Sequence, residues 1–284
     1  MNVAKTIGEF RRLRAELPKP IGFVPTMGGL HDGHLSLARI ARERCAAVVA
    51  SIYVNPSQFA PTEDLAAYPR DLDRDLALLK QECVDLVLAP DDEAELYPPG
   101  FDTWIDVRGI TARLEGASRP THFRGVATIV AKLFHIVKPD IAVFGQKDAQ
   151  QALVIKRLIA DLDFDIKLLL GPTIREPDGL AMSSRNTYLS PEERDAAAVL
   201  YRSLQLAESL YADGERNAQT FRNAMMELLQ AEALLQLEYV SVADPQDLTE
   251  LDSIDRRALV SLAVHLGATR LIDNVVLPPG EPLL

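Results

Sequence analysis

The residues best suited to chemistry in this 284-residue chain are gathered in a few short runs. Two of its five histidines, His31 and His34, stand three apart in P-T-M-G-G-L-H-D-G-H (25–34), directly behind the apolar run Ile21-Gly22-Phe23-Val24. Imidazole can donate to phosphoryl oxygens and stabilise charge that develops in a transition state. Gly28 and Gly29 permit a sharp turn and let backbone N–H groups approach a ligand closely. Gly33 falls at or near the start of a helix, whose unpaired N–H groups and positive dipole end attract anions. A phosphate site, a metal site and a tight turn with incidental histidines are the competing readings. Zinc would need two further ligands, and no Cys or Asp/Glu cluster is spaced to supply them. Neither a glycine-rich dinucleotide fingerprint nor a G-K-[S/T] phosphate loop is present.

Other runs carry complementary groups. Gln58 follows Asn55-Pro56 behind a second apolar run, and a neutral amide holds hydroxyls or a carboxylate without adding charge. Lys147 is a point cation suited to an anionic ligand, although beside Asp148 it also reads as half of a surface ion pair. In M-S-S-R-N (182–186), Ser183, Ser184 and Arg185 offer hydroxyl and guanidinium donors for phosphates. Serines also cap helices, but Ser190 before Pro191 is the more obvious cap here. Asp75 is a candidate for magnesium, while its periodicity equally fits a solvated helix face. His135 repeats at helical spacing on an apolar stretch and reads as a core or interface histidine.

These groups need elements to place them. Strands are expected at 21–26, 46–54, 84–90, 140–146 and 165–171, with helical patterns at 34–45, 71–83, 123–137 and 149–162. The strand runs are apolar throughout, which suits strands buried on both faces of a parallel sheet. Their alternation with helices predicts a doubly wound, Rossmann-like α/β domain over 1–173. Two helices (191–213 and 217–235) and three strands (237–245, 257–267 and 269–277) then predict a smaller α+β domain over 174–284. Gly171, Pro172, Pro177 and Gly179 bracket a plausible hinge. Ligands of an open parallel sheet bind at strand carboxyl ends, where both the His31/His34 run and Gln58 fall.

The bulk composition narrows the partners. Nearly half of the residues are hydrophobic, enough for a sizeable core. A net charge of −11 disfavours nucleic acid and anionic lipid as partners. No apolar stretch approaches the length of a membrane span. Cys45 and Cys83 lie in no metal-like spacing, and two reduced thiols in a cytoplasmic protein are the simpler reading. The segment 1–17 is amphipathic and lacks the apolar core of a signal peptide.

Taken in order, the runs resemble a known family. T-M-G-x-L-H-x-G-H resembles the HxGH signature of the nucleotidyltransferase superfamily. With V-N-P-S-Q-F-A-P (54–61), D-L-A-A-Y-P-R-D (64–71), L-E-G-A-S-R-P-T-H-F-R-G-V (114–126), K-P-D-I-A-V-F-G-Q-K-D-A-Q-Q (138–151), D-G-L-A-M-S-S-R-N-T-Y-L-S (178–190) and R-L-I-D-N (270–274), the chain resembles the pantoate–β-alanine ligases. The resemblance implies ATP-dependent condensation of pantoate with β-alanine through pantoyl adenylate, with magnesium accompanying ATP. It implies an ATP site formed by Met27, Gly28, Gly29, Leu30, His31, Asp32, Gly33 and His34, by Gly145, Gln146, Lys147 and Asp148, and by Ile174, Met182, Ser183, Ser184 and Arg185. His34, with His31 and Lys147, would be catalytic. Gln58 and Gln151 would hold pantoate, Gln58 also β-alanine, and Ile174 would meet adenine through its backbone. Arg119 and His122 resemble residues near the site, without a role attached.

The same resemblance implies a cytoplasmic homodimer joined through the N-terminal domains, with the C-terminal domain acting as a lid. Three departures stand out: Gln146 where the family commonly has Glu, Ala149 for an aromatic, and Ser57 for Thr or Met. Rival functions are transfer of a whole nucleotide to a phosphorylated acceptor, an inactive nucleotide-binding module, and a synthetase fragment acting on tRNA. The two glutamines, the intact histidine, lysine and S-S-R groups, and the acidic charge count against them in turn.

Overall fold

The computed structural model describes every residue except Thr62. The chain runs β1 (Asn2–Ala4), α1 (Ile7–Arg14), β2 (Ile21–Thr26), α2 (Asp32–Arg44), β3 (Ala47–Ile52), α3 (Leu72–Gln81) and β4 (Leu86–Leu88). It continues through α4 (Glu115–Ser118), α5 (His122–Val137), β5 (Ile141–Gly145), α6 (Ala149–Asp161) and β6 (Lys167–Gly171). The remainder is α7 (Pro191–Ala196), α8 (Val199–Ala212), α9 (Ala218–Gln230), β7 (Leu235–Ala243), β8 (Ala258–Leu266) and β9 (Thr269–Leu277). Two compact units result: Met1–Gly145 with Gln150–Gly171, and Gln146–Ala149 with Pro172–Leu284. The second unit thus includes a four-residue stretch from between β5 and the body of α6.

In the first unit, six strands form a sheet in the order β1-β4-β3-β2-β5-β6, with every pairing parallel. Alternate side chains feed two cores. Phe23, Val49, Leu86 and Leu88 pack with Phe10, Phe134 and Ile155 on one face, while Val24, Val48, Ala50 and Val87 pack with Leu37, Ala41 and Leu79 on the other. Burial on both faces explains why these strands read as unbroken apolar runs. A fully buried phenylalanine such as Phe134 stabilises the fold by about 2–3 kcal/mol. The chain winds from β2 toward β4 in one direction and toward β6 in the other, so the order reverses between β2 and β5. The carboxyl ends there, Thr26 and Gly145, flank the crevice where open sheets of this kind hold ligands.

The second unit has a three-stranded antiparallel sheet, β7-β8-β9, with an irregularity between Leu237 and Tyr239. Helices α8 and α9 cover it through Leu200, Leu204, Phe221, Met225 and Leu229. Ser190 caps α7, and Glu193 returns a hydrogen bond to the Ser190 N–H, as the S-P-E-E run predicts.

Several expectations need correction. The first strand, β1, is too short to show a period, so residues 1–17 read only as amphipathic. The helix expected over 191–213 is broken after Ala196, where Ala198 and Leu200 make i→i−3 bonds that no Gly or Pro announces. His135 is exposed rather than in the core, with its ring 5.2 Å from that of Phe164. Asp75 is buried rather than solvated.

Candidate active site

The glycine turn after β2 is built by one carboxylate. Gly28 and Gly29 have φ of +84° and +60°, a left-handed backbone that glycine adopts without penalty. Asp75, only 1 % exposed on α3, accepts the N–H of Gly29 at 2.8 Å and of Leu30 at 2.9 Å, one on each oxygen. Burial pushes the Asp75 carboxyl up, and the two N–H donors partly pull it back. Both oxygens are therefore committed to bracing the turn, a role its sequence periodicity does not reveal. Thr26 donates to the Ser51 carbonyl at 2.7 Å and pins the end of β2 to β3.

The two histidines then begin α2. His31 is the N-cap residue: its Nδ1 accepts the Gly33 N–H at 3.1 Å. His34 Nδ1 accepts the His31 N–H at 3.4 Å, giving a reciprocal cap made of two imidazoles with ring centroids 4.2 Å apart. A ring nitrogen that accepts an N–H is unprotonated, so this geometry places the ring proton on Nε2 in each neutral imidazole. Two Nε2–H donors thus stand at the N-terminus of a 13-residue helix, whose dipole favours an anion.

Gln58 sits in the short helical turn Pro56–Gln58 after β3 and is 9 % exposed. Its Oε1 accepts from Asn55 Nδ2 at 3.1 Å, and its Nε2 donates to Met27 Sδ at 2.7 Å. A thioether is a weak acceptor, so that donor gains by turning to a carboxylate or hydroxyl. The turn is clamped by α5 and the residues before it. His122 Nδ1 donates to the Gln58 carbonyl at 2.8 Å, and Arg119 reaches the same oxygen at 3.4 Å while pairing with both oxygens of Glu63 at 2.7 Å. Burial, then the neighbouring Arg119 charge, lowers His122 to about 4, so it is neutral at physiological pH. Burial opposes the charge of Glu63, but Arg119 outweighs it and holds that carboxyl below its ordinary range.

Two residues with no chemical motif complete this frame. Asn55, fully buried, binds Gln58 and the Gly125 carbonyl. Gln150 ties down the 110–115 loop by donating to the carbonyls of Ile110 and Arg113 and accepting from the Glu115 N–H. Nothing in their local sequence separates them from ordinary loop or helix amides. Gln151 is half-buried on α6.

In the second unit, Lys147 is half-buried, with Nζ 3.9 Å from Asp148 Oδ1. Ile174 accepts the Met182 N–H at 2.9 Å, and Arg175 bridges to Ala181, so the segment before the serines folds as a narrow loop. Ser183 caps the short helical turn Ser184–Tyr188 by accepting the Arg185 N–H at 3.3 Å. Arg175 forms a two-pronged pair with buried Asp273, at 2.5 and 3.1 Å, and its guanidinium lies 4.0 Å over the Tyr201 ring. Burial raises the Asp273 carboxyl, against the opposing pull of Arg175. Asn186 Nδ2 donates to Glu176 and to the Ala181 carbonyl, closing the base of the loop.

Within the first unit, then, Met27–His34 and Gln58 follow the ends of β2 and β3, and Arg119 and His122 bind the Gln58 turn, while the second unit carries Gln146–Asp148, Ile174 and Met182–Arg185. Among the described residues, no group of three or more His, Cys, Asp or Glu is placed to hold a metal ion. No described helix is long and apolar enough to cross a membrane.

A family model described as pantoate-beta-alanine ligase matches residues 2–276. Pantothenate synthetase of Roseiflexus castenholzii is 57 % identical over 277 residues, covering 98 % of this chain and 99 % of that protein. The Herpetosiphon aurantiacus protein of the same name is 54 % identical over 278 residues, covering 98 % and 100 %. Among solved structures, pantothenate synthetase from Thermus thermophilus superposes with a TM-score of 0.93 at 47 % identity, over 97 % of this chain and 99 % of that one. The Francisella tularensis pantoate-beta-alanine ligase, complexed with beta-gamma ATP and beta-alanine, gives 0.82 at 35 % identity over 97 % of both chains.

Proposed function

The chain belongs to the pantoate–β-alanine ligase family, and from that premise we infer that it condenses pantoate with β-alanine using ATP, releasing AMP and pyrophosphate. The observation that carries the site assignment is the paired-histidine cap at the sheet's switch point. In the first step a pantoate carboxylate oxygen attacks the α-phosphorus of ATP, forming a P–O bond as the bond to pyrophosphate breaks. No proton need move, so positioning and charge stabilisation dominate. His34 donates from Nε2 to an oxygen of the α-phosphoryl group, with His31 and the α2 N-terminus adding to the field. In the second step the β-alanine amine attacks the acyl carbon, the C–O bond to AMP breaks, and the amine loses its proton to solvent.

Gln58 turns its amide from Met27 to pantoate, Gln151 adds a second contact, and Gln58 also meets β-alanine. Lys147, Ser183, Ser184 and Arg185 donate to the triphosphate, Asp148 binds the ribose, and Ile174 meets adenine through its backbone. Magnesium enters bound to ATP phosphates: Asp75 has both oxygens engaged, and this ion keeps much of its shell as water and phosphate.

We read the protein as a cytoplasmic homodimer joined through the first unit. The exposed Trp104 ring, stacked on Tyr97 and edge-on to Phe101, supports that surface. Sedimentation as a single-chain species at micromolar concentration would refute the dimer.

The test of function is incubation with ATP, magnesium, pantoate and β-alanine, each omitted in turn. AMP release that needs both acceptors, with pantothenate as product, is expected. The His34→Ala variant should lose about 10²–10³-fold in pantoate-dependent ATP–pyrophosphate exchange and about 1 kcal/mol of stability from its half of the cap. AMP formed without pantoate, or wild-type exchange in the variant, would overturn the reading.

A further inference from the structure

One side chain of the R-L-I-D-N run in β9 is hydrogen-bonded directly to the backbone of a turn assigned to chemistry. Asn274 is 3 % exposed, and its Nδ2 donates to two consecutive carbonyls, Gln146 at 3.1 Å and Lys147 at 2.8 Å. Both protons of one buried amide are thus engaged by the short turn that carries Lys147. Among neutral side chains only a primary amide puts two N–H groups on a single nitrogen; a carboxylate would oppose the carbonyls and a hydroxyl could satisfy one.

The platform behind Asn274 is rigid. Strand β9 pairs with β8 over its whole length, with Asn274 opposite Ser261. The neighbouring Asp273 accepts the Asn274 N–H at 2.8 Å while held by Arg175. The turn itself is short: Gln146–Asp148 is three residues long, and Asp148 is exposed. Buried amide networks of this kind fix geometry because any displacement leaves polar groups unsatisfied.

We propose that Asn274 is a positioning residue for Lys147, setting where the lysine backbone stands and so where its ammonium meets the ATP phosphates. The inference rests on the reading of Lys147 as a phosphate-binding cation. It also assigns a role to the R-L-I-D-N run: Asp273 fixes the loop entered by Arg175, and Asn274 fixes the turn of Lys147.

The experiment is a double-mutant cycle in the full-length protein, using Asn274→Ala, Lys147→Ala and the pair, read by pantoate-dependent ATP–pyrophosphate exchange. A displacement of about 1 Å at a reacting group costs about 10²-fold, so Asn274→Ala should lower kcat/KM for ATP by about 10- to 100-fold. In the complete reaction the KM for β-alanine should stay within about 2-fold, and in the Lys147→Ala background the Asn274 change should cost less than about 3-fold in exchange. Additive losses would overturn the tether while leaving Lys147 in place. Wild-type ATP kinetics in Lys147→Ala would instead remove the phosphate-binding reading on which the tether depends. A second measurement needs no variant: in 15N-labelled wild-type protein, the Asn274 side-chain amide protons should exchange slowly. Exchange as fast as that of an exposed asparagine would overturn the proposal even if Asn274→Ala failed to fold.

Discussion

Gly125→Ala sets two rules of protein chemistry against each other. Gly125 lies inside α5, where replacing glycine by alanine ordinarily stabilises a helix by about 1 kcal/mol. Here the added Cβ would stand 2.4 Å from the Ser57 carbonyl oxygen, 2.5 Å from its carbon and 2.7 Å from Gln58 Cα. All three are backbone atoms of the Gln58 turn, so no side-chain rotation relieves them. Ordinary contacts begin near 3.4 Å, so the turn must retreat by about 1 Å, the scale at which rates fall by about 10²-fold. Overpacking of this kind costs about 1–3 kcal/mol and outweighs the propensity gain. The expected result is a net loss of up to about 2 kcal/mol in urea unfolding and a fall of about 10²-fold in kcat/KM for pantoate, with KM for ATP within a few-fold. Gly8→Ala in α1 is the control, because nothing lies within 4 Å of its would-be Cβ; it should add about 0.5 kcal/mol and leave turnover alone. If Gly125→Ala behaved like Gly8→Ala, with a raised unfolding midpoint and native pantoate kinetics, the clamp of α5 on the Gln58 turn would be refuted.

Two further outcomes follow from the same frame. The unfolded chain protonates His122 near pH 6.5 whereas the folded protein resists until about 4, so between those values the unfolded state binds more protons and stability must fall as pH falls. The loss is at most about 3 kcal/mol, and His122→Gln, which keeps an N–H donor, should flatten urea midpoints over this window; superimposable wild-type and variant curves would contradict the assignment. Asp75→Asn keeps one acceptor but turns an NH2 toward the second backbone N–H, so it should cost about 2–4 kcal/mol and raise KM for ATP. A variant as stable as wild type, with unaltered ATP kinetics, would show that the glycine turn does not need its brace.

How much of this was legible in the sequence depends on the range of the interaction concerned. Strands β2 to β6 and the helices between them announce themselves because each is apolar in its own period, and Ser190 announces its cap within three residues. The His31/His34 pair was readable as a candidate anion site because glycines, histidines and a helix start are contiguous. The resemblance to a known family singled out Gln58, Lys147 and the S-S-R run, and the comparisons support the family. The support for those groups was hidden. Asp75 reaches Gly29 across 46 positions and Asn274 reaches Lys147 across 127, and neither distance leaves a local pattern. Asp75 also sits in a run of acids that reads as solvated, so its burial contradicts its neighbours. The core half of the reading of His135 fails in the opposite way: an apolar stretch carried it, but its own position on α5 faces outward.

The order of strands in the sheet has a consequence for the newborn chain. Strand β2 can pair with β3 as soon as residue 52 has emerged, but its other edge waits for β5, whose last residue is 145. At ordinary synthesis speeds that interval is on the order of ten seconds. Throughout it, Ile21, Gly22 and Phe23 present an apolar strand with an open row of N–H and C=O groups, the kind of edge that invites pairing with another chain. The centre of the finished sheet is therefore the exposed margin of the half-made one.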